Sequence, residues 1–425
     1  MMNRLDVIIF GASGYSGKYV VQNLVKVSTN ENCEITWGIA GRSLEKLQSV
    51  IKEMELKLGT KFDEVPMMVA NTDDENSLID MASRARLVVN CTGPYRVHGE
   101  AVVRACIQQN CHYTDICAEP QFMERMQLLY NEEAANKGVY VVPSCGVDSI
   151  PSDMGVDFVR KSFEGTLNSV EVYQEVVPDG GFGVGPCINS GTWESLVYVL
   201  ADYSELRKIR EKLFRIEVPP LVPKLSYRCS LPRVPLSRNH AGPYPGCEGT
   251  VIRRSQRYFY ETNHSRPIQI RCYVGTVSFL LYILLFFGFW IWVPMSKLRF
   301  TRNLLLKYPR FFSGGVFGTS PLEESTKKFE LVTTFYGRGW KGKAVDATYR
   351  QKEDSWIVGK VRGRDGYQIT GLCAAVSALV LVGGSQKLPR KGGVYTTAPV
   401  FTDTELVEML QRNGLEFEVC DRGDM

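Results

Sequence analysis

The sequence predicts an α/β chain: a parallel-sheet domain, then a second α/β domain with a largely antiparallel sheet into which an apolar segment is inserted. Three observations predict it. An apolar strand runs into a glycine-rich turn and an amphipathic helix near the N-terminus, strand–turn–helix units recur over the first 150 residues, and short alternating runs with glycine turns follow residue 328. Composition agrees, since 44% hydrophobic and 23% charged residues are globular values and 425 residues call for at least two domains. The boundaries read as 1–150 for a Rossmann-type domain, 151–365 for the second domain with an apolar insert at 274–293, and 366–425 for a helix and tail that pack back on the first domain.

The first unit is "LDVIIFGASGYSGKYVVQNLVKV". Val7 to Phe10 form a buried-strand run, and Val20, Val21, Leu24 and Val25 follow at helical spacing. Gly11, Gly14 and Gly17 between them are spaced G-x-x-G-x-x-G, a variant of the dinucleotide fingerprint. The first allows the tight turn, the second lets backbone approach a pyrophosphate, and the third lets the helix pack on the sheet. Ser13, Tyr15 and Ser16 complete this predicted cofactor loop, with the helix N-terminal amides facing the phosphates. The second strand, "EITWGIAGRSLEKL", ends at Arg42 and Ser43 with no carboxylate from Thr36 through Leu44. An acid there would hold the ribose hydroxyls of NAD, whereas Arg42 can pair with a 2′-phosphate, so the expected cofactor is NADP, with NAD as the alternative. Ser43 also suits the cap of the following helix.

"RARLVVNCTGPYRVHGEAVVRACIQQNCHYTDICAE" predicts a strand at Leu87–Cys91, a turn at Thr92, Gly93, Pro94 and Tyr95, a helix over Gly99–Gln109 and a strand at His112–Ile116. Such turns lie beyond the carboxyl ends of parallel strands, where ligands bind, so this one borders the dinucleotide. "GVYVVPSCG" then leads to Asp148, Ser149, Ser152 and Asp153, a polar group explained by capping and turn chemistry. Tyr95 and Asp148 are the two candidates for a catalytic acid, because both follow strand ends near the expected nicotinamide.

Three stretches together, "GASGYSGKYV", "NCTGPYRVHGEAVVRACIQQNCHYTDICAE" and "CGVDSIPSDMG", resemble the saccharopine dehydrogenase family, and the resemblance runs the length of the chain. It implies a Rossmann domain with a second α/β domain, an NAD(P)-type cofactor, and, from the animal members, association with lipid droplets or other membranes. It assigns Gly11, Ser13, Gly14 and Gly17, and Thr92, Gly93 and Pro94, to the cofactor. A pocket for saccharopine does not carry over, because the convergent basic residues that its carboxylates need are not seen outside one cluster.

That cluster is ten Lys or Arg residues against one acid from Arg253 to Arg310, and it brackets "VGTVSFLLYILLFFGFWIWV", twenty residues without a formal charge. Basic flanks around an apolar run suit anionic headgroups, and no nucleic-acid groove is indicated. The run has the length to cross a bilayer, yet one crossing would put the two parts of a shared fold on opposite sides. A monotopic insertion, anchored by Trp290 and Trp292, avoids that division. In the remainder, Val170–Val177 reads as a strand, "TWESLVYVLADYSELRKIREKLF" as one long helix, and Pro219 to Pro245 as an extended connector. "KFELVTTFYGRGW", "KAVDATYR" and "SWIVGKVRGRDG" read as strands and "YQITGLCAAVSALVLVGG" as an apolar helix. Twelve scattered cysteines without a C-x-x-C pair, and four histidines, predict neither a metal site nor a disulfide framework.

The functional expectation is an NADP-linked oxidoreductase at a cytosol-facing membrane or lipid-droplet surface, with mitochondrial association as a second location and a small hydrophobic or lipid-like substrate. The rival is a lipid-droplet interaction protein that keeps the fold without turnover, and a true saccharopine dehydrogenase ranks below both. No cleaved signal peptide is expected, and no oligomeric state is assigned.

Overall fold

A computed structural model describes residues 4–62, 64–178, 186–227, 233–243, 246–276, 279–319, 321, 326–384, 387–389 and 391–425. The first sheet uses strands β1 Leu5–Phe10, β2 Trp37–Gly41, β3 Met67–Val69, β4 Ala85–Asn90, β5 His112–Asp115 and β6 Tyr140–Val142. The second draws on β7 Gly165–Pro178, β9 His240–Pro243, β10 Gln269–Thr276, β12 Phe329–Lys341 and β13 Ser355–Arg364. Ile188–Asn189 (β8) and Phe317–Gly318 (β11) pair only with each other, while Gly393–Val394 (β14) joins the first sheet and Glu416–Asp424 (β15) the second.

The first sheet is parallel throughout, in the order β14-β6-β5-β4-β1-β2-β3. Val7, Ile8, Ile9, Leu87 and Val88 are wholly buried because helices cover both faces of the sheet. Those helices are α1 Tyr15–Asn30, α2 Leu44–Leu58, α3 Glu75–Ser83, α4 Tyr95–Gln108 and α5 Pro120–Asn136. Their ends obey local chemistry: Ser43 and Asp74 cap α2 and α3 through their side chains, and Gly59 ends α2 in the left-handed region. Strand order reverses between β1 and β4, which opens a crevice over their carboxyl ends.

The second sheet runs β15-β13-β12-β7-β10-β9 and is mixed, with β10 parallel to β7 and the other pairings antiparallel. Helices α6 Ile150–Ser162 and α9 Glu248–Asn263 pack beside it, and Gly155 is small because a Cβ there would strike the ring of Phe335. The apolar helix Gly366–Val382 lies against α1. A Cβ on Gly371 would strike the Tyr19 carbonyl, and Asn23 donates to Gln368 at 2.9 Å. One continuous apolar core therefore runs through both sheets.

The structure corrects several boundaries. The 366–425 tail does not pack on the first domain alone, since β14 extends the first sheet and β15 edges the second. The long helix breaks at Asp202 into α7 Ser190–Ala201 and α8 Tyr203–Leu213, and Asp202 binds Arg96 there. "KAVDATYR" is turn and loop, held by Thr166 on Val345 and Lys343 and by an Asp346–Thr348 turn. The apolar run is divided: Val274–Thr276 close β10, residues 277–278 lie outside the described set, and a helix begins at Phe279. That helix, α10 Phe279–Lys297, is followed by α11 Arg299–Lys307 and α12 Pro309–Phe312. Among the described residues no helix is long and apolar enough to cross a membrane.

Because backbone meets backbone at Gly371, Gly371→Val should lower stability by about 1–3 kcal/mol or more through overpacking. A denaturant midpoint unchanged from the wild type would show that the α1 contact yields at no cost.

Candidate functional site

Gly11 sits at φ +81°, a conformation open to glycine, and a Cβ there would stand 2.7 Å from the Thr92 methyl. Gly17 packs on the Gly11 carbonyl so closely that a Cβ would collide with it. Gly14 differs. It is exposed at the N-cap of α1 with no side-chain cap, and the nearest atom to an added Cβ is the Gly11 oxygen at 3.1 Å, so the space in front of it is open. The first turn of α1 thus faces open space beside Gly14, a cradle that fits a pyrophosphate at the helix N-terminus. Ser13 and Ser16 flank it, half-buried. Tyr15 turns away: its ring meets Tyr367 edge-on at 4.6 Å and its hydroxyl donates to the Pro321 carbonyl at 3.2 Å.

At the end of β2, the Ser43 hydroxyl accepts from the Lys46 amide at 3.3 Å, so it caps α2 as the sequence indicates. Arg42 is exposed beside it and makes no ion pair among the described residues. No carboxylate stands on β2 or its following turn.

The strand-four turn is fixed by its neighbours. The Thr92 amide and hydroxyl donate to Asn90 Oδ1 at 3.0 and 2.6 Å, and Gly93–Pro94 leads straight into α4, which starts four residues earlier than the sequence indicates. The reason is Glu119. Its buried carboxylate accepts from the Tyr95 and Arg96 amides, both at 2.9 Å, and from Ser195 of α7 at 2.8 Å. Burial raises the Glu119 pKa against the pull of these donors. Tyr95 is buried with its hydroxyl donating to the Asn90 carbonyl at 3.0 Å, and burial raises its pKa well above the ordinary phenol value. Its geometry fastens the turn.

A buried hydrogen-bonded line leads onward across the strand ends. Asn90 donates to the Tyr113 hydroxyl at 3.1 Å, which donates to Asp115 Oδ2 at 2.8 Å, while Asp115 Oδ1 accepts from the Cys117 and Ser144 amides at 2.9 and 2.7 Å. Burial pushes the Asp115 pKa up to about 7. The Ser144 and Ser149 hydroxyls meet at 2.5 Å, and Ser149 contacts the thiol of Cys247. Next to Cys247 is Glu248, the first residue of α9, which no local motif marks and which lies within the field of Asp148, a hundred residues earlier in the chain. Glu248 is 1% exposed, is hydrogen-bonded to Gln174 of β7, and has one carboxyl oxygen, Oε2, without a partner. Burial, followed by the charge of Asp148, pushes its pKa to about 8, and burial raises Asp148 as well. The remaining polar residues of this loop are structural: Ser152 accepts from Gln174, and Asp153 accepts from Ser255, Thr397 and the Ala398 amide, each at 2.7 Å.

Residues 7–142 match the saccharopine dehydrogenase NADP binding domain. The whole chain is similar to a saccharopine dehydrogenase-like oxidoreductase of Homo sapiens, 36% identical over 426 residues, covering 99% of this chain and 98% of that one. A protein of Caenorhabditis elegans named lipid droplet localized protein is 34% identical and covered in full, as is this chain. Among solved structures, saccharopine dehydrogenase (L-Glu forming) of Saccharomyces cerevisiae aligns over 98% of this chain and all of its own, with a TM-score of 0.54 at 12% identity. That likeness concerns the fold.

Gly14→Val should abolish binding of the dinucleotide while leaving the unfolding transition in place, because the branched side chain projects into the open cradle and not into the core. Retained affinity in a binding titration would reduce the loop to a tight turn.

Proposed function

Because the chain belongs to the saccharopine dehydrogenase-like oxidoreductase family, we propose that it is an NADPH-linked oxidoreductase acting on a neutral, lipid-like molecule at the surface of a membrane or lipid droplet. The observation that carries this reading is the presence, on one chain, of an open glycine cradle and an exposed apolar face edged with cations. Arg42 would hold the 2′-phosphate, the amides of α1 the pyrophosphate, and the Thr92–Pro94 turn would border the nicotinamide. The bound cofactor supplies the hydride. The chain orients the acceptor and keeps water away.

A neutral substrate follows from the charges nearby. Glu119, Asp148 and Glu248 are carboxyls on this side, and three arginines of the bordering helices are engaged: Arg96 with Asp202, Arg210 with Glu124, and Arg254 with Gln127. A substrate with several carboxylates would meet repulsion and find these counter-ions occupied.

The lipid-facing surface is formed by α10 to α12. Phe287, Trp290, Ile291, Leu298, Phe300 and Phe311 are 56–80% exposed, among the exposed cations Lys297, Arg299, Lys307 and Arg310. The other side of α10 is tied to the protein, with Trp292 edge-on to Trp193 of α7 at 5.0 Å. Such a helix lies in the interface instead of crossing it. Burying one large apolar side chain contributes about 1.5–3 kcal/mol, against about 1 kcal/mol for each cation near an anionic surface. Insertion therefore dominates over headgroup attraction.

Three outcomes test the reading. NADPH should bind more tightly than NADH, and Arg42→Ala should remove about tenfold or more of the difference, the equivalent of one charge-assisted hydrogen bond at about 1.5–3 kcal/mol; equal wild-type affinities would overturn the assignment. Replacing Trp290, Leu298, Phe300 and Phe311 with Ser should release the protein from phosphatidylcholine-coated droplets, while high salt alone removes little of the wild type. Retention of that variant would move docking elsewhere. NADPH oxidation by the droplet-bound protein should respond to neutral enoyl or carbonyl lipids and not to polycarboxylate amino acids; cofactor binding with no turnover on either would favour the rival scaffold reading.

A further inference from the structure

The buried Trp193 and Val197 of α7 join Leu305 of α11, Trp292 of α10, Phe312 of α12 and Phe317 of β11 in an apolar cluster of their own. Among the described residues, none of these elements contributes to the apolar cores of the two sheets. The Trp193 indole donates to the Leu305 carbonyl at 2.8 Å, and β8, which leads into α7, pairs only with β11. Together β8, α7, α10, α11, α12 and β11 form one unit with its own core and its own two-stranded sheet.

Polar groups tie this unit to the rest of the chain. Ser195 donates to Glu119 at 2.8 Å, Gln121 donates to the Val199 carbonyl at 2.9 Å, Arg96 binds Asp202 and the Tyr198 carbonyl, and the Asn189 amide donates to the Tyr367 hydroxyl at 2.6 Å. Glu119, Gln121 and Arg96 stand at the starts of α4 and α5, where the strand-four turn is fixed, and α7 lies over that turn with Ser195 beside Gly93. The Arg96 and Asp202 side chains are 24% and 27% exposed, so water reaches this seam. Bonds of this kind exchange for bonds to water, whereas an apolar core cannot part without exposing its surface. At Asp202 the helix breaks, and beyond it α8 is held to α5 by Arg210 on the buried Glu124 at 2.8 Å.

We propose, on the premise that α10 to α12 dock on lipid, that this unit is a cap that turns as one body about Asp202, parting the polar seam between α7 and the starts of α4 and α5 and opening the crevice toward the lipid. The helices that insert and the helix that covers the strand-four turn share one cluster, so a displacement of α10 carries α7 with it through Trp292, Trp193 and Leu305. Lipid favours the open position to the extent that it lets the cap insert more deeply. Opening leads a lipid-soluble molecule to the cofactor turn, and closing restores the Ser195 contact on Glu119 above it.

Hydrogen exchange of the full-length protein, with and without phosphatidylcholine-coated droplets, tests the cap. The Tyr95 and Arg96 amides report the seam, since both donate to the Glu119 carboxylate that Ser195 covers. Docking should raise their exchange by about threefold or more while exchange within α7 stays as it was, because the helix moves without unfolding. Arg96→Met and Gln121→Leu each remove a tie to α7, and each should speed exchange of the Tyr95 amide in the absence of droplets. Unchanged exchange at Tyr95 and Arg96 in the droplet-bound wild type would overturn the cap, and so would faster exchange throughout α7, the mark of local unfolding. No rise in either variant would overturn the seam as the contact that holds the cap closed. Flotation reads the docking by itself: a wild type that does not float with the droplets removes the docking reading and the proposal with it.

Discussion

The two-lobed form depends on the contact between α1 and the helix Gly366–Val382. The first begins at the glycine cradle and the second comes from the C-terminal third of the chain, yet they approach until Gly371 leaves no room for a methyl group against Tyr19. Small residues at a crossing let helix backbones come close, and Ala374, Ala375 and Ala378 are fully buried further along the same helix. The cradle is thus backed by packing from the second half. Tyr15 and Tyr367 reinforce it at the level of the loop itself. A phosphate site must hold its amides in position before the ligand arrives, and this contact packs against the helix that carries them.

Buried carboxyls divide the crevice by how completely each is satisfied. Asp115 and Glu119 each accept three hydrogen bonds, mostly from backbone amides, so they act as fixed acceptors that lock the strand-end turns. Glu248 has an oxygen with no donor, and an unmet buried polar group costs about 1–3 kcal/mol. Asp153 carries the same cost on Oδ1 while its Oδ2 ties α6 to Ser255, Thr397 and the Ala398 amide.

The cradle was legible in the sequence because its chemistry is local: three glycines within seven residues, a strand before them and a helix after them. The Ser43 cap was legible for the same reason. The early start of α4 was not, because its cap comes from Glu119, 24 residues beyond Tyr95, and nothing in the residues before Tyr95 announces it. Tyr95 and Asp148 were both placed near the nicotinamide from strand order alone. Only coordinates separate them, since one hydroxyl is committed to a backbone carbonyl and the other side chain is half-buried within the field of Glu248, a hundred residues away. The uncharged run was read as one unit because hydropathy does not distinguish a strand buried between β7 and β9 from the helix that follows it.

The exposed apolar helix α10 and the strand-four turn are near neighbours in the fold. Trp292 of α10 packs on Trp193, Ser195 lies two residues further along α7, and its hydroxyl reaches the same Glu119 oxygen that accepts the Tyr95 amide. A Cβ on Gly93 would stand 4.0 Å from that Ser195 hydroxyl. One helix therefore touches the surface element on one side and the strand-four turn on the other. A substrate drawn from lipid next to α10 would have only the width of α7 to pass before reaching the crevice, about 10 Å for a packed helix. On the proposed reading, an apolar run in an otherwise globular chain would bring a molecule that water dissolves poorly to a hydride donor from which water is kept away.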